Sequence, residues 1–109
     1  MVSVKRFDVC LINLEPTKGS EIKKTRPCVV ISPDTMNKSR LRTVIIAPLT
    51  RTVRAKFPTR VTTVFKSTHC QIALDQVRAI DKSRIIKTLG RADIRAQEKV
   101  LHIIQVMFA

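Results

Sequence analysis

The sequence lacks tryptophan and tyrosine altogether, and its 109 residues include only two glycines, Gly19 and Gly90. A Walker loop or a dinucleotide fingerprint needs several glycines in register, so enzymes that bind nucleotide cofactors through such loops are excluded. The only aromatic residues are four phenylalanines. They offer little material for a platform that stacks the bases of a single nucleic-acid strand.

Metal-binding and disulfide patterns are missing as well. Cys10, Cys28 and Cys70 are odd in number and form no Cys-x-x-Cys motif, so we expect reduced thiols in the core of a cytoplasmic protein. The eight acidic residues are scattered, without the Asp-x-Asp or helical i, i+4 spacing that supplies ligands to a hard metal ion. We therefore expect no metal and no cofactor.

No apolar run approaches the ~20 residues that a membrane-spanning helix needs. The N-terminal segment, Met-Val-Ser-Val-Lys-Arg, does not have the charged-then-apolar order of a secretion signal. At this length we expect a single domain, residues 1–109, with a modest core. The prediction is a cytoplasmic protein that does not bind a membrane.

Positive charge is what the sequence has in excess. Lysine and arginine number 21 against eight acidic residues, which gives a net charge of +13. Such a field attracts nucleic acid, an acidic protein or an anionic surface. The alternative is a basic surface that only keeps the protein soluble.

Short apolar segments separated by proline, aspartate and polar loops predict a mainly β protein. The predicted strands are Phe7–Leu14, Pro27–Ser32, Thr43–Leu49, Thr59–Phe65, Cys70–Leu74, Gln76–Ile80 and Ile85–Leu89. We expect Asp75 alone to separate the fifth and sixth strands, and Gly90 to end the last. Strands at this spacing indicate a small, strongly bent barrel.

Two helical segments are predicted. Asp34–Ser39 is expected to form one short turn, and Asp93 to cap a C-terminal helix that reaches about Phe108 and covers one opening of the barrel. The apolar residues of this helix form one wide face that we expect to be buried. They are Ala96, Val100, Leu101, Ile103, Ile104, Met107 and Phe108.

A polar loop rich in lysine precedes the dipeptide Arg26-Pro27. Proline disfavours the α region for the residue before it, so Arg26 is expected in extended backbone at the start of a strand. A guanidinium fixed there, behind a cationic loop, suits a phosphate ligand. His69 and Cys70 do not predict a thiol–imidazole pair, because neighbours on a strand point to opposite faces.

Four segments resemble, in order and at the right spacing, the MazF/PemK/Kid family of toxin endoribonucleases from type II toxin–antitoxin systems. These segments are Asp8–Glu21, Thr25–Ser32, Pro48–Thr50 and Asp75–Asp81. The resemblance implies an SH3-like barrel of the MazF/CcdB type with a C-terminal α-helix, and a homodimer. It also implies metal-independent cleavage of single-stranded RNA at short sequences, and a cognate acidic antitoxin as partner.

The resemblance also assigns candidate catalytic residues. Arg26 and Thr50 stand where MazF-type members keep their essential arginine and threonine. Kid-type members use a histidine, an arginine and an aspartate, at positions that hold Ser20, Ala73 and Asp75 here. Because this chain lacks the histidine and the arginine of that set, the resemblance implies that catalysis uses Arg26 and Thr50, as in MazF-type members.

In this chemistry the substrate's own 2′-OH attacks the neighbouring phosphate, leaving a 2′,3′-cyclic phosphate and a 5′-OH. Arg26 is expected to stabilise the added negative charge, and the Thr50 hydroxyl to donate to the same phosphate. The proton acceptor is open between Glu21 and Asp75. The alternatives are an ion pair of Glu21 with nearby cations and a turn role for Asp75. Arg26 as an exposed strand-end residue and Thr50 as a turn hydroxyl are alternatives too.

A further set of polar and cationic residues is expected to contact RNA. These residues are Lys18, Ser20, Lys24, Arg51, Arg54, Lys56, Gln76 and Arg78. The cations are expected to bind phosphates, whereas Gln76 and Arg78 are expected to read base edges or line the groove wall. Two alternative functions stay open: a CcdB-like gyrase poison and a non-catalytic nucleic-acid-binding barrel.

Overall fold

The computed structural model describes residues 3–14, 25–53 and 57–109. The strands in these ranges are β1 (Asp8–Asn13), β2 (Thr25–Val30), β3 (Thr43–Thr50), β4 (Arg60–Phe65), β5 (Thr68–Ala73), β6 (Arg78–Asp81) and β7 (Ile85–Arg91). The α-helices are α1 (Asp34–Asn37) and α2 (Ile94–Met107). One-turn 3-10 helices occupy Leu74–Gln76 and Lys82–Arg84.

The strands form one antiparallel sheet in the order β4-β5-β3-β2-β1-β7. The long strand β3 is central, since β2 pairs along one edge while β6 and β5 pair with successive parts of the other. The prediction of a mainly β, barrel-like fold with a C-terminal helix is confirmed. The sheet curls into a half-barrel, and α2 packs on one of its faces.

The two edge strands approach each other where Phe65 of β4 meets Gly90 of β7. A Cβ atom built on Gly90 would lie 3.0 Å from Phe65 Cε1, tighter than ordinary contact. Glycine therefore lets the phenylalanine ring lie against the β7 backbone. The prediction that Gly90 ends the last strand was wrong, because β7 continues through it to Arg91.

Successive residues of the central strands point to opposite faces of the sheet, and each face carries its own apolar core. The helix-side core contains Val9, Val29, Ala47, Leu49, Ile72 and Val100, among others. The second core contains Cys10, Ile12, Cys28, Val30, Ile46 and Ile80, among others. The central strands are therefore packed on both faces.

Helix α2 begins at the predicted cap, where Asp93 accepts a hydrogen bond of 2.8 Å from the Ala96 amide. Ala96 and Val100 are buried, but Leu101 and Phe108 are exposed, so placing these two on the buried face was wrong. Leu101 is rotated by about 100° from Val100 around the helix, and Phe108 lies beyond its last turn. No helix within the described ranges is long and apolar enough to cross a membrane.

The connection between β5 and β6 is longer than predicted. β5 ends at Ala73, and a 3-10 turn precedes the start of β6 at Arg78. The Leu74 amide donates to the Thr59 carbonyl, and the Val77 amide donates to the Leu74 carbonyl. The predicted strand Gln76–Ile80 therefore starts two residues later than expected. The three cysteines are free and buried, as predicted.

Candidate active site

Arg26 of β2 lies close to the end of β3 that carries Thr50. The paired residues of the two strands run from Val30–Ile46 to Cys28–Pro48, so Arg26 and Thr50 each lie two residues beyond the last pair, at the same end of the ladder. The guanidinium Nη2 of Arg26 donates a long hydrogen bond of 3.5 Å to the Leu49 carbonyl, next to Thr50. The two predicted catalytic side chains thus share one end of the central strand pair.

The Thr50 hydroxyl has a defined orientation. Its oxygen accepts a hydrogen bond of 3.2 Å from the Thr52 amide, so the turn interaction considered above is present. A hydroxyl has one donor hydrogen and two acceptor lone pairs. The bond from Thr52 uses an acceptor position only, so the oxygen is fixed in place and its hydrogen can still donate to a phosphate.

Arg78, one of the predicted RNA-binding residues, lies on the same side of the sheet as Arg26. Arg78 begins β6 opposite Ile46 of β3. Burial raises the pKa of the Cys28 thiol to about 12, and the charges of both Arg26 and Arg78 act against that rise. The two arginines therefore flank Cys28 and add positive charge there, while the thiol itself stays protonated and unreactive.

Asp75 occupies a different environment, in the 3-10 turn after β5. Its Oδ1 accepts 2.8 Å from Arg60 Nε and 3.2 Å from Thr59 Oγ1, and its Oδ2 accepts 3.3 Å from Arg60 Nη2. These bonds, led by those from Arg60, lower the pKa of Asp75 below its ordinary value. A lowered pKa makes this carboxylate a weaker proton acceptor. Gln76 is exposed beside it.

A cavity of about 210 Å³ opens beside Thr50. It is lined by Pro27, Leu49, Thr50, Arg51, Phe65, Lys66, Thr68, Cys70 and Leu89. Its floor comes from the helix-side core, and the polar and cationic residues lie at its mouth. Of the three predicted RNA-binding residues that the structure describes, Arg51, Gln76 and Arg78, only Arg51 belongs to this lining.

The remaining predicted site residues lie outside the described part of the chain. They are Glu21 among the catalytic candidates, and Lys18, Ser20, Lys24, Arg54 and Lys56 among the RNA contacts. Within residues 3–14, 25–53 and 57–109, no three His, Cys, Asp or Glu side chains gather into a potential metal-binding group.

Sequence reasoning missed several polar residues near this site. Gln71 of β5 lies directly opposite Thr50, is buried, and donates 3.1 Å to Thr62 Oγ1. Lys66 lies in the β4–β5 turn with a positive φ of 50°. The turn itself was predictable from the two flanking strands, but the packing of its residues beside Thr50 depends on the curl of the sheet.

Comparison with known proteins identifies the family. A family model for the PemK-like, MazF-like toxin of type II toxin–antitoxin systems matches residues 5–108. Endoribonuclease EndoA of Bacillus subtilis is 33% identical over 110 residues, covering 97% of this chain and 95% of that protein. Endoribonuclease MazF of Staphylococcus saprophyticus is 37% identical over 109 residues, covering 94% and 89% respectively.

Solved structures agree on the fold. A MazE-MazF structure from Deinococcus radiodurans has a TM-score of 0.81 at 20% identity, covering 99% of this chain and 97% of that one. A mycobacterial endoribonuclease in complex with its cognate antitoxin has a TM-score of 0.74 at 20% identity, covering 99% and 95%. Because the family model spans almost the whole sequence, the chain belongs to the PemK-like, MazF-like toxin family of type II toxin–antitoxin systems.

Proposed function

We propose that this protein is an endoribonuclease that cleaves single-stranded RNA at short sequences, with Arg26 and Thr50 acting on the scissile phosphate. One observation carries the proposal: the Arg26 guanidinium donates to the Leu49 carbonyl, next to Thr50, at one end of the β2–β3 ladder. The endoribonuclease names of the relatives from B. subtilis and S. saprophyticus support the same activity.

The nucleophile of the reaction is the substrate's own 2′-OH group, so no side chain has to act as one. The 2′-oxygen of the RNA bonds to the adjacent phosphorus, its proton is removed, and the bond to the 5′-oxygen breaks to leave a 2′,3′-cyclic phosphate and a 5′-OH. Charge builds on the phosphate oxygens as phosphorus becomes five-coordinate. The Arg26 guanidinium and the Thr50 hydroxyl are fixed donors for that charge, so little reorganisation is needed as it develops.

The proton acceptor follows less directly from the geometry. Arginine stays protonated in proteins, so Arg26 binds charge rather than removing the 2′-OH proton. Asp75 has a carboxylate, but its bonds with Arg60 lower its pKa and favour a structural role in the turn. Glu21, in the first basic loop, is the other candidate, and both remain predictions.

The substrate is proposed to follow the cationic side of the sheet. Arg51 follows Thr50 at the end of β3, and Arg78 begins β6 opposite Ile46 of the same strand, so both contribute charge near β3. We propose phosphate contacts for Lys18, Lys24, Arg51, Arg54 and Lys56, an RNA contact for Ser20, and contacts with bases or the groove wall for Gln76 and Arg78.

Two protein partners are also proposed. A net charge of +13 suits an acidic antitoxin, and one structural relative is described as an endoribonuclease in complex with its cognate antitoxin. A second copy of the chain would join the cationic surfaces of two protomers across a two-fold axis. We also propose that the protein is cytoplasmic. Sedimentation at micromolar concentration is expected to show a dimer, and a monomer would contradict the proposed homodimer.

The activity is tested with a long RNA in the presence of EDTA. Discrete fragments with 2′,3′-cyclic phosphate ends are expected from the wild-type protein and not from Arg26→Ala. Intact RNA that remains bound would contradict cleavage and support a non-catalytic nucleic-acid-binding barrel. Intact RNA together with stalled gyrase would instead support a CcdB-like poison.

A further inference from the structure

The cavity beside Thr50 combines an apolar interior with a cationic mouth. Leu49, Phe65 and Leu89 supply apolar wall, whereas Arg51 and Lys66 are exposed at the opening. Its volume of about 210 Å³ is below the ~300–1,000 Å³ of pockets that hold drug-sized ligands. One flat ring system therefore fits the cavity better than a whole nucleotide chain does.

The aromatic wall of this cavity is held in place by the fold. Phe65 ends β4, and its ring lies against the β7 backbone because Gly90 has no side chain there. The turn that follows contains two residues with positive φ, Lys66 and Ser67, which reverses the chain at once into β5. Lys66 Nζ lies 5.8 Å from the centroid of the Phe65 ring, so a positive charge is fixed at the cavity mouth.

We propose that this cavity, named here the Phe65 cavity, binds one unstacked nucleobase of the RNA next to the scissile phosphate. The inference rests on the proposed function and adds a base-binding subsite to it. When a base stacks on the Phe65 ring, the phosphates of its nucleotide lie at the mouth of the cavity, where the positive charges of Arg51 and Lys66 complement them. Thr50 also lines the cavity, so the cavity lies at the end of β3 that carries the proposed phosphate contact.

The position of the cavity explains how a protein with few aromatic residues can stack a base. Phe65 is one of only four phenylalanines in the chain, and the curl of the sheet brings it from the far edge strand to the end of β3. Base–aromatic stacking accepts any base. The Phe65 cavity therefore positions the RNA strand, and preference among bases arises from the polar groups at its edge.

Binding is tested with a short single-stranded RNA that contains a cleavage site but carries a 2′-deoxy sugar there, so that it cannot be cut. The fluorescent base 2-aminopurine is placed at successive positions along this RNA. One position next to the deoxy sugar is expected to change its emission on binding the wild-type protein. Phe65→Leu, which keeps an apolar side chain but removes the ring, is expected to abolish that change and weaken binding about tenfold.

Val64→Leu is the matched control, since Val64 is the neighbouring residue of β4 and lies exposed on the opposite face. It is expected to leave both the emission change and the affinity as in the wild type. Circular dichroism identifies a Phe65→Leu protein that has lost its fold. Lys66→Asn provides a second variant, since asparagine tolerates positive φ, and it is expected to weaken binding at low salt but not at high salt.

Each outcome bears on the inference. An unchanged emission signal in folded Phe65→Leu, or equal losses in Phe65→Leu and Val64→Leu, would overturn it, and so would a Lys66→Asn protein with normal affinity at low salt. Failure of the proposed function looks different. A wild-type protein that shows the Phe65-dependent signal but leaves all-ribose RNA intact retains the base subsite and lacks the nuclease activity.

Discussion

Two arginines at strand ends, Arg26 and Arg60, have different partners. Arg26 of β2 donates to the neutral carbonyl of Leu49, next to Thr50. Arg60 of β4 donates through two nitrogens to the carboxylate of Asp75, at 2.8 and 3.3 Å. The Arg60 side chain is only 7% exposed, and the carboxylate neutralises its charge.

The difference indicates which arginine is available to a ligand. A guanidinium bonded to a carbonyl keeps its full charge, whereas one bonded to a carboxylate has most of its field cancelled. Arg26 is therefore the arginine that we expect to bind a phosphate, whereas Arg60 holds the 3-10 turn against β4. Removing Arg26 is expected to affect activity, and removing the Arg60–Asp75 pair is expected to affect stability.

The largest effect is expected for Arg26→Ala. Loss of one fixed donor to the transition-state charge typically lowers the rate about 10²–10³-fold, and kcat for a defined RNA measures it. Thermal unfolding is expected to change little, because the Arg26–Leu49 bond is long. Asp75→Asn is the contrasting variant, since it is expected to lower stability more than it lowers kcat. The opposite pattern would contradict the comparison.

Thr50→Val tests the hydroxyl separately from side-chain volume. Valine matches the shape of threonine, so we expect a loss of about 10²-fold in kcat with little change in the melting temperature. Thr50→Ser keeps the hydroxyl and the bond from the Thr52 amide, and it is expected to recover most of the rate. Equal losses in the two variants would assign the effect to the methyl group rather than to the hydroxyl.

Much of the fold was predictable because each strand is a short apolar segment with a clear boundary. The errors occur where a distant contact decides the local structure. Gly90 was taken as a strand end, but it lies inside β7, where it pairs with Val9 of β1. Leu101 and Phe108 match the apolar pattern of α2, yet Leu101 is rotated away from Val100 and Phe108 lies beyond the last turn, so both are exposed.

The site was predictable only in part for a similar reason. The resemblance gave Arg26 and Thr50, and in the structure Arg26 donates to the Leu49 carbonyl, next to Thr50; their catalytic roles stay predictions. The ion pair between Arg60 and Asp75 joins residues 15 positions apart through the β4–β5 hairpin. Neither the residue types nor their spacing in the sequence identified this ion pair, so Asp75 was considered as a proton acceptor before Arg60 was known to be its partner.

Asp75→Asn is expected to lower the free energy of unfolding by about 0.5–1 kcal/mol at neutral pH, because it removes a charged acceptor from Arg60 and solvent screens this partly exposed pair. The pKa of Asp75 is lowered in the folded protein, mainly by its hydrogen bonds with Arg60. Its stabilising contribution is therefore fully present above the unfolded pKa of about 3.9 and is lost as pH falls toward the lower folded value.

Chemical denaturation of the wild type and Asp75→Asn at several pH values measures this contribution. The difference in free energy of unfolding between the two proteins is expected to be constant from pH 6 to 8 and to shrink below about pH 4. Comparison of the two proteins cancels the other carboxylates, including Asp34 and Asp81, whose pKa values are also lowered. A difference that persists unchanged at pH 3 would contradict the ion-pair role.

The smallest effect is expected for Arg51→Gln, which removes an exposed cation at the end of β3 without touching the Arg26–Thr50 pair. One phosphate contact contributes about 0.7 to the slope of log affinity against log salt for a single strand. We therefore expect weaker binding of uncleavable RNA at low salt, a slope lower by about that amount, and an unchanged rate at saturating RNA.

Arg95→Gln, on the exposed first turn of α2, makes the same change in net charge. If it lowers the slope equally, the effect belongs to overall charge; if Arg51→Gln alone does so, the RNA follows the end of β3.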